Sequence, residues 1–221
     1  MDEDRLRGAM VAAGIRLGVR GLVAAGEGNL SIRLPDDRLL VTPSGQRKDE
    51  LRPAELLVVP LVRPAAGDLT GERGLRPTSD VAIHRAIYGA RPDVGAVVHA
   101  HLQAAMALTL AGERPDPMSL PETALFLPIL PVVPYAEMGS DELARAIAQA
   151  LGRGDPLAGA AILERHGAVA VGSAGDGHDG EHALAQALDR IELIDVLCRV
   201  TRDALLLRAA RRLLGTDGHT G

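Results

Sequence analysis

The stretch VAIHRAIYGARPDVGAVVHAH, residues 81–101, joins a helical segment to a buried strand. Its first half has a helical pattern, and Ser79 or Asp80 is available to cap the helix N-terminus. Its second half, VGAVVHAH, is rich in valine and contains no Asp, Glu, Lys or Arg, which is typical of a strand inside a sheet. The stretch therefore indicates a sheet with helices packed against it.

The other segments mix helices and strands in irregular order, so we expect an α/β or α+β fold layered around an antiparallel or mixed sheet. Helices are predicted at residues 2–24, 102–110, 140–151 and 181–214, the last long enough to break or bend once. Strands are predicted at 55–62 and in two hairpins, which turn at residues 35–37 and at His166–Gly167. Four prolines between 121 and 134 predict a loop with a short edge strand.

The composition is that of an acidic chain with a single cysteine. Its 221 residues fit one domain, which we expect over residues 1–214, with a flexible tail at 215–221. A formal net charge of −5 gives no electrostatic reason to expect a nucleic-acid or anionic-membrane partner. Cys198 alone excludes an intrachain disulfide and fits a buried thiol. Without a secretory or membrane-spanning pattern, we expect a cytoplasmic protein.

Two histidines, His99 and His101, stand on either side of Ala100 at the end of the apolar strand. Side chains two residues apart on a strand point to the same face, so both imidazoles could hold one divalent cation. The spacing alone also fits one histidine packed in the core beside another that caps a helix. A third ligand is needed to decide between these interpretations.

Five histidines are candidates for the third ligand, and His166 differs from the rest. It lies in the tight turn of LERHGAV at the end of a buried strand, where a polar ring has no packing reason to be. His178, His182 and His219 fit solvated surface positions. His84 fits a packed or capping place in a helix. Three histidines with an open fourth position are typical of a catalytic metal site.

Three loops are rich in glycine and hydroxyl residues: GEGNLS at 26–31, TPSG at 42–45 and PTSD at 77–80. Their backbone N–H groups, hydroxyls and amide could form an uncharged anion cradle, able to bind a phosphate without a lysine. None is a P-loop, and GEGNLS lacks the third glycine of the dinucleotide fingerprint. Ordinary turn chemistry also accounts for each loop taken alone.

Taken in order, these segments resemble the class II aldolase/adducin family over most of the chain. The resemblance rests on GLVAAGEGNLSIR, LLVTPSG, RPTSDVAIHRAIYGARPDVGAVVHAH, PVVPYAEMGSDELARAI and ILERHGAVAVG. It implies a three-layer α/β/α sandwich with a mixed, largely antiparallel central sheet, and a C4 homotetramer with active sites at subunit boundaries. It also implies a Zn²⁺ ion on His99, His101 and His166, although three imidazoles would accept Co²⁺ or Mn²⁺. The phosphate of a sugar phosphate would be held by Asn29, Ser44, Gly45, Thr78 and Ser79.

The resemblance implies a metal-dependent aldolase that cleaves a ketose 1-phosphate of the fuculose, ribulose or deoxypentulose type. The products would be dihydroxyacetone phosphate and an aldehyde, formed through a metal-bound enediolate. The alternatives are an L-ribulose-5-phosphate 4-epimerase-like reaction, and a decarboxylase or dehydratase of the same fold. A non-catalytic adducin-like domain is a further alternative, but adducin-type domains lack the metal histidines that this chain retains.

Two departures from the family pattern concern proton transfer. Asp80 stands where the aldolases normally have a glutamate general base, and its carboxylate is one methylene shorter. Asp at this position resembles the epimerase. The family's tyrosine from the C-terminal part of a neighbouring subunit has no counterpart, since no Tyr follows Tyr135. Glu122 is the nearest ionisable residue to the segment where relatives place a further acid/base group, and a loop salt bridge is its alternative role.

Overall fold

The computed structural model describes residues 2–62, 74–175 and 179–214 and contains a seven-stranded sheet in the order β3-β2-β1-β4-β7-β6-β5. The strands are β1 (Asn29–Leu34), β2 (Arg38–Val41), β3 (Leu57–Pro60), β4 (Val94–Ala100), β5 (Val132–Val133), β6 (Ala160–Leu163) and β7 (Gly167–Ser173). Neighbouring strands pair antiparallel except β5 and β6, which pair parallel. The prediction of a mixed, largely antiparallel sheet is therefore confirmed.

In the described part of the chain, six helices accompany this sheet: α1 (Glu3–Val19), α2 (Val81–Ala90), α3 (Gln103–Leu110), α4 (Pro121–Phe126), α5 (Asp141–Gly152) and α6 (Gly180–Leu213). Short 3-10 turns lie at Pro53–Glu55 and Pro117–Ser119. The helices α1, α3 and α6 share one apolar core with the first face of the sheet, and α2 and α5 share a second core with the other face. The chain is thus a three-layer α/β/α sandwich.

The alternation of side chains along β4 decides which face carries the histidines. Ala96, Val98 and Ala100 belong to the core under α1, α3 and α6, whereas Val97 belongs to the core under α2 and α5. Because side chains alternate along a strand, His99 shares the face of Val97 and lies on the α2 side. The central position of β4, between β1 and β7, brings both neighbouring strands to the site.

The structure corrects three details of the predicted elements. Residues 121–126 form the helix α4 instead of a loop, because Pro121 occupies the first helical position, where its missing N–H costs nothing. The first helix ends at Val19 rather than near residue 24. The last helix, α6, is continuous over its 34 residues.

Other expectations are confirmed. Val132–Val133 is a short edge strand, Ser140 caps α5 by accepting a hydrogen bond from the Leu143 N–H, and Cys198 is buried. Among the described helices, none is both long and apolar enough to cross a bilayer. The tail predicted at residues 215–221 lies outside the described residues.

Candidate metal centre and active site

Three histidines meet at the end of β4. His99 is the penultimate residue of that strand, His101 follows the strand directly, and His166 lies in the turn between β6 and β7. Because β4 and β7 are neighbours in the sheet, the turn that leads into β7 lies beside the end of β4. Their ligating nitrogens all lie within 4.8 Å of one another, and the Nε2 atoms of His99 and His101 are 3.1 Å apart. The structure thus brings together the three predicted ligands.

The backbone of the β6–β7 turn is shaped for this approach. Arg165 adopts a positive φ of 60° and Gly167 a φ of 130°, which an L side chain rarely adopts. A Cβ atom at Gly167 would also overlap the Ala100 carbonyl and the Cα of His101. Glycine is therefore required at 167 for the turn to bring His166 against the end of β4.

The hydrogen bonds of the imidazoles leave nitrogens for a cation. The Nδ1 atom of His99 lies 2.9 Å from the Ala168 carbonyl oxygen, so Nδ1–H donates and the Nε2 lone pair faces the cluster. The buried Nε2 of His166 has no hydrogen-bond partner among the described residues. A buried polar atom without a partner carries a free-energy cost, which a bound cation would remove.

Burial keeps two of these imidazoles, those of His99 and His166, in the form that a metal needs. Burial, the largest cause, and the adjacent His166 and His101 together lower the pKa of His99 to about 3. Asp80 and the hydrogen bond to the Ala168 carbonyl act in the opposite direction. Burial also lowers the pKa of His166. Metal ligation requires a neutral imidazole lone pair, so the donors fit a borderline cation such as Zn²⁺.

Asp80 is a buried carboxylate beside this cluster. It occupies the N-cap position of α2, but its side chain makes no capping hydrogen bond, in contrast to the capping role considered from sequence. Instead its Oδ2 accepts a hydrogen bond of 2.8 Å from the Asn29 Nδ2 and lies 3.9 Å from the His99 Nε2. Its Oδ1 is buried without a partner among the described residues. One carboxylate oxygen is therefore anchored, and the other is available for a ligand.

A buried chain of hydrogen bonds stands behind Asp80. The Asn29 Oδ1 is 2.6 Å from the His84 Nε2, and the His84 Nδ1 is 2.6 Å from the Ser31 hydroxyl. The Ser31 hydroxyl in turn lies 2.9 Å from the hydroxyl of Tyr88. No sequence pattern marks Ser31 or Tyr88 as a site residue, and the sequence predicts only a packed or capping role for His84.

The direction of each bond in this chain follows from chemistry. Burial lowers the pKa of His84 to about 4, so the ring is neutral and has one donor and one acceptor. Because an amide oxygen only accepts, Nε2–H of His84 donates to Asn29 and Nδ1 accepts from Ser31. The Tyr88 hydroxyl then donates to Ser31. The Asp80 carboxylate accepts from the Asn29 NH₂ group, which independently places the Asn29 oxygen toward His84.

The three predicted anion-binding loops lie together. Pro43 and Pro77 form an isolated bridge, flanked by hydrogen bonds from Ser44 N–H to Arg76 O at 2.8 Å and from Thr78 N–H to Thr42 O at 3.1 Å. Ser44, Gly45 and Ser79 are exposed, whereas Thr78 and Asn29 are buried. An amide NH₂ has two hydrogens, so Asn29 keeps one N–H beyond its bond to Asp80.

The remaining sequence candidates lie elsewhere. Glu122 is exposed in the first turn of α4, and no hydrogen bond or ion pair among the described residues joins it to the histidines. His182 is an exposed residue of α6 that pairs with Gln186, as expected of a surface position. His178 and His219 fall outside the described residues.

Glu27 lies beside the cluster although no sequence pattern marks it as a site residue. One of its carboxylate oxygens is 3.6 Å from the His101 Nδ1.

The chain matches the family model described as Class II Aldolase and Adducin N-terminal domain over residues 8–201. The chain belongs to this family. Among solved structures, the family member L-fuculose-1-phosphate aldolase from Thermus thermophilus is similar with a TM-score of 0.78 and 29% identity, covering 95% of this chain and 99% of that one. The class II aldolase fold implied by the resemblance is therefore confirmed.

Two relatives of this chain have methylthioribulose 1-phosphate in their names. The methylthioribulose-1-phosphate dehydratase of Granulibacter bethesdensis is 41% identical over 107 residues, which is 48% of this chain and 48% of that protein. The match thus spans about half the length of this relative. The 5-methylthioribulose-1-phosphate/5-deoxyribulose-1-phosphate aldolase of Rhodospirillum rubrum is 35% identical over 169 residues, 76% of this chain and 71% of that protein. The related members of this family are sugar-phosphate lyases of more than one reaction type.

Proposed function

We propose that this protein is a metal-dependent aldolase that cleaves a ketose 1-phosphate to dihydroxyacetone phosphate and an aldehyde. The observation that carries the proposal is the cluster of three imidazoles beside a buried carboxylate with one oxygen that has no partner among the described residues. A bound Zn²⁺ on His99, His101 and His166 would supply a Lewis acid that polarises the oxygens of the substrate. Co²⁺ or Mn²⁺ could take the same place.

The loops beside the metal centre are proposed to bind the phosphate. Ser44, Gly45 and Ser79 are exposed, and with Thr78 and the second N–H of Asn29 they offer hydroxyl and N–H donors. Phosphate binding here would fix the position of the sugar relative to the histidines. Holding the reacting atoms in one geometry removes much of the entropic cost of the reaction.

Asp80 is proposed to carry the proton at the carbon whose bond breaks. Cleavage moves the electron pair of the C3–C4 bond toward the carbonyl, which leaves an enediolate and an aldehyde. Once the aldehyde has left, Oδ1 of Asp80 would give a proton to C3 of the enediolate, which completes dihydroxyacetone phosphate. The bond from Asn29 would hold Oδ2 in place during this transfer. The proton of the C4 hydroxyl needs a second acceptor, for which we propose Glu122 of a neighbouring subunit in a homotetramer.

The relatives support this substrate class. The Rhodospirillum rubrum relative is an aldolase for 5-methylthio- and 5-deoxyribulose 1-phosphates and covers about three quarters of the chain. We therefore propose a short or deoxygenated ketose 1-phosphate, handled by a single domain over residues 1–214 in the cytoplasm. The second candidate is dehydration of the same substrate, which the similarity to the Granulibacter bethesdensis dehydratase favours.

The test is a product assay on the zinc-loaded protein. Fuculose, ribulose, 5-deoxyribulose and 5-methylthioribulose 1-phosphates are incubated separately, and dihydroxyacetone phosphate is measured by its reduction with NADH. The aldolase releases this triose phosphate from at least one ketose, and the zinc-free protein does not.

Each alternative has its own product. A dehydratase consumes the ketose phosphate without breaking its carbon chain, and an epimerase converts a pentulose 5-phosphate into its epimer. A decarboxylase releases CO₂ from a phosphorylated 3-oxo acid. Any of these products without dihydroxyacetone phosphate would contradict the aldolase proposal.

A further inference from the structure

Lys48 is the only lysine among the chain's 24 lysine and arginine residues, and it is buried. Its side chain is 1% exposed, whereas its neighbour Arg47 is exposed. A lysine is almost never fully buried unless its charge has a partner. The position of this ammonium therefore needs a physical explanation.

The Lys48 ammonium joins two of the loops of the proposed phosphate site. Nζ donates a hydrogen bond of 2.9 Å to the Gly26 carbonyl and another to the Gln46 carbonyl. Gly26 begins the GEGNLS loop, and Gln46 follows TPSG directly. These loops also touch each other, because a Cβ atom at Gly26 would come within 3.0 Å of the Gly45 backbone.

The ammonium has no anionic partner among the described residues. No ion pair in residues 2–62, 74–175 or 179–214 includes Lys48, while Arg47 pairs with Asp49 and Glu50. Burial lowers the pKa of Lys48 to about 8, which reflects a charge that has lost water without gaining an anion. An ammonium has three donors, and two carbonyls leave one of them for a further acceptor.

The backbone of Lys48 is held as firmly as its side chain. A Cβ atom at Gly14 would overlap the Lys48 carbonyl oxygen, so α1 packs directly against this backbone. The long side chain then reaches back to the loops from a fixed base. This arrangement places a positive charge next to the anion cradle, which the sequence alone predicted to be uncharged.

We propose that Lys48 is the cation of the phosphate site: its buried ammonium ties the Gly26 and Gln46 loops together and balances the charge of the substrate's phosphate. The inference rests on the proposed function, since it assumes a phosphorylated substrate. It assigns Lys48 the role of selecting a dianionic substrate over a neutral sugar. A bound phosphate would stabilise the ammonium, and the ammonium would stabilise the bound phosphate.

The test measures the affinity of the metal-loaded protein for inorganic phosphate by calorimetry. Loss of a charge-assisted interaction predicts that Lys48→Met weakens phosphate binding by about 10- to 100-fold. Lys48→Arg keeps the positive charge, so it should lose less phosphate affinity than Lys48→Met. Arg47→Gln removes an adjacent but exposed and paired cation, so its affinity should stay within a few-fold of wild type. Zinc content, measured in parallel, should be the same in all four proteins.

A second measurement needs no substitution. Because Lys48 is the only lysine, labelling with [15N]lysine gives one side-chain ammonium signal, and phosphate should shift it with the Kd found by calorimetry. This spectrum decides the question even where Lys48→Met does not fold. Wild-type protein that binds no phosphate would contradict the proposed function and this inference together. Two results would overturn the role of Lys48 and leave the proposed function standing. One is phosphate binding that does not shift the Lys48 signal, and the other is phosphate binding that Lys48→Met does not weaken.

Discussion

The direction of the hydrogen-bond chain behind Asp80 makes a quantitative prediction for Ser31→Ala. Ser31 is fully buried, and its hydroxyl donates to the His84 Nδ1 while accepting from Tyr88. Its removal leaves one buried acceptor and one buried donor without partners, at about 1–3 kcal/mol each. The expected loss in the free energy of unfolding is therefore roughly 2–6 kcal/mol.

Tyr88→Phe is the matched comparison. It removes the donor at the end of the chain but leaves the bond from Ser31 to His84, so the expected loss is about 1 kcal/mol. In the double variant only the His84 Nδ1 lacks a partner, at about 1–3 kcal/mol. The sum of the single variants is roughly 3–7 kcal/mol, so the double variant should cost roughly 2–4 kcal/mol less than that sum.

Urea unfolding followed by far-UV circular dichroism measures these free energies, with EDTA present and the protein concentration fixed so that metal and subunit binding do not contribute. The zinc content of each variant should be unchanged, since Ser31 lies three hydrogen bonds away from Asp80. Additive effects, or a larger loss for Tyr88→Phe than for Ser31→Ala, would contradict the coupling of Ser31 to His84 and Tyr88 in this chain.

Three further predictions follow from other parts of the structure. Asp80→Asn should lower kcat by about 10²- to 10⁴-fold, the usual contribution of a general acid–base group, with zinc content unchanged; a kcat within a few-fold of wild type would remove Asp80 from proton transfer. Gly172→Ala should lower the free energy of unfolding by about 1–3 kcal/mol, because the new Cβ overlaps the Ala183 carbonyl. Gly8→Ala is the control, because Gly8 is an exposed helix position with open space, and this substitution should raise the free energy of unfolding by about 1 kcal/mol. If urea unfolding shows Gly172→Ala to be more stable than Gly8→Ala, the packing of β7 on α6 is contradicted. In zinc-free protein, the pKa of His84 lies at about 4 in the folded state against 6.5 when unfolded, so between these pH values only the unfolded chain binds the proton. His84 should therefore contribute about 3 kcal/mol to the fall in stability as pH drops through this window, in addition to the losses from His99 and His166, whose pKa values are also lowered. His84→Gln should remove the His84 contribution and make the slope shallower in urea titrations at successive pH values.

The sequence predicts that the three histidines come together because the signals are local. A period of two residues places His99 and His101 on one strand face, and the turn at Gly167 marks His166. Hydrophobic patterning likewise predicts most of the sheet and the helices that cover it. The loop predicted around Pro121 was wrong because proline breaks a helix interior yet fits its first turn.

The rest of the site depends on contacts between distant segments. Asp80 had the position of a helix cap, and only the packing of β1 against α2 shows that its partner is Asn29. His84 has no sequence signal that distinguishes a packed ring from one that bridges Asn29 and Ser31. The single lysine was visible in the composition, but its burial beside the anion loops is a property of the fold.

The central claim is that His99, His101 and His166 hold a divalent cation. The most direct test is the metal content of the purified protein by mass spectrometry, for wild type, His166→Ala and the surface control His182→Ala. We predict about one Zn²⁺ per chain in wild type and His182→Ala, because three imidazoles complete the protein's share of a catalytic site, and a large loss in His166→Ala. Wild-type protein that retains no divalent metal after zinc loading, or a His166→Ala variant that retains as much as wild type, would contradict the account.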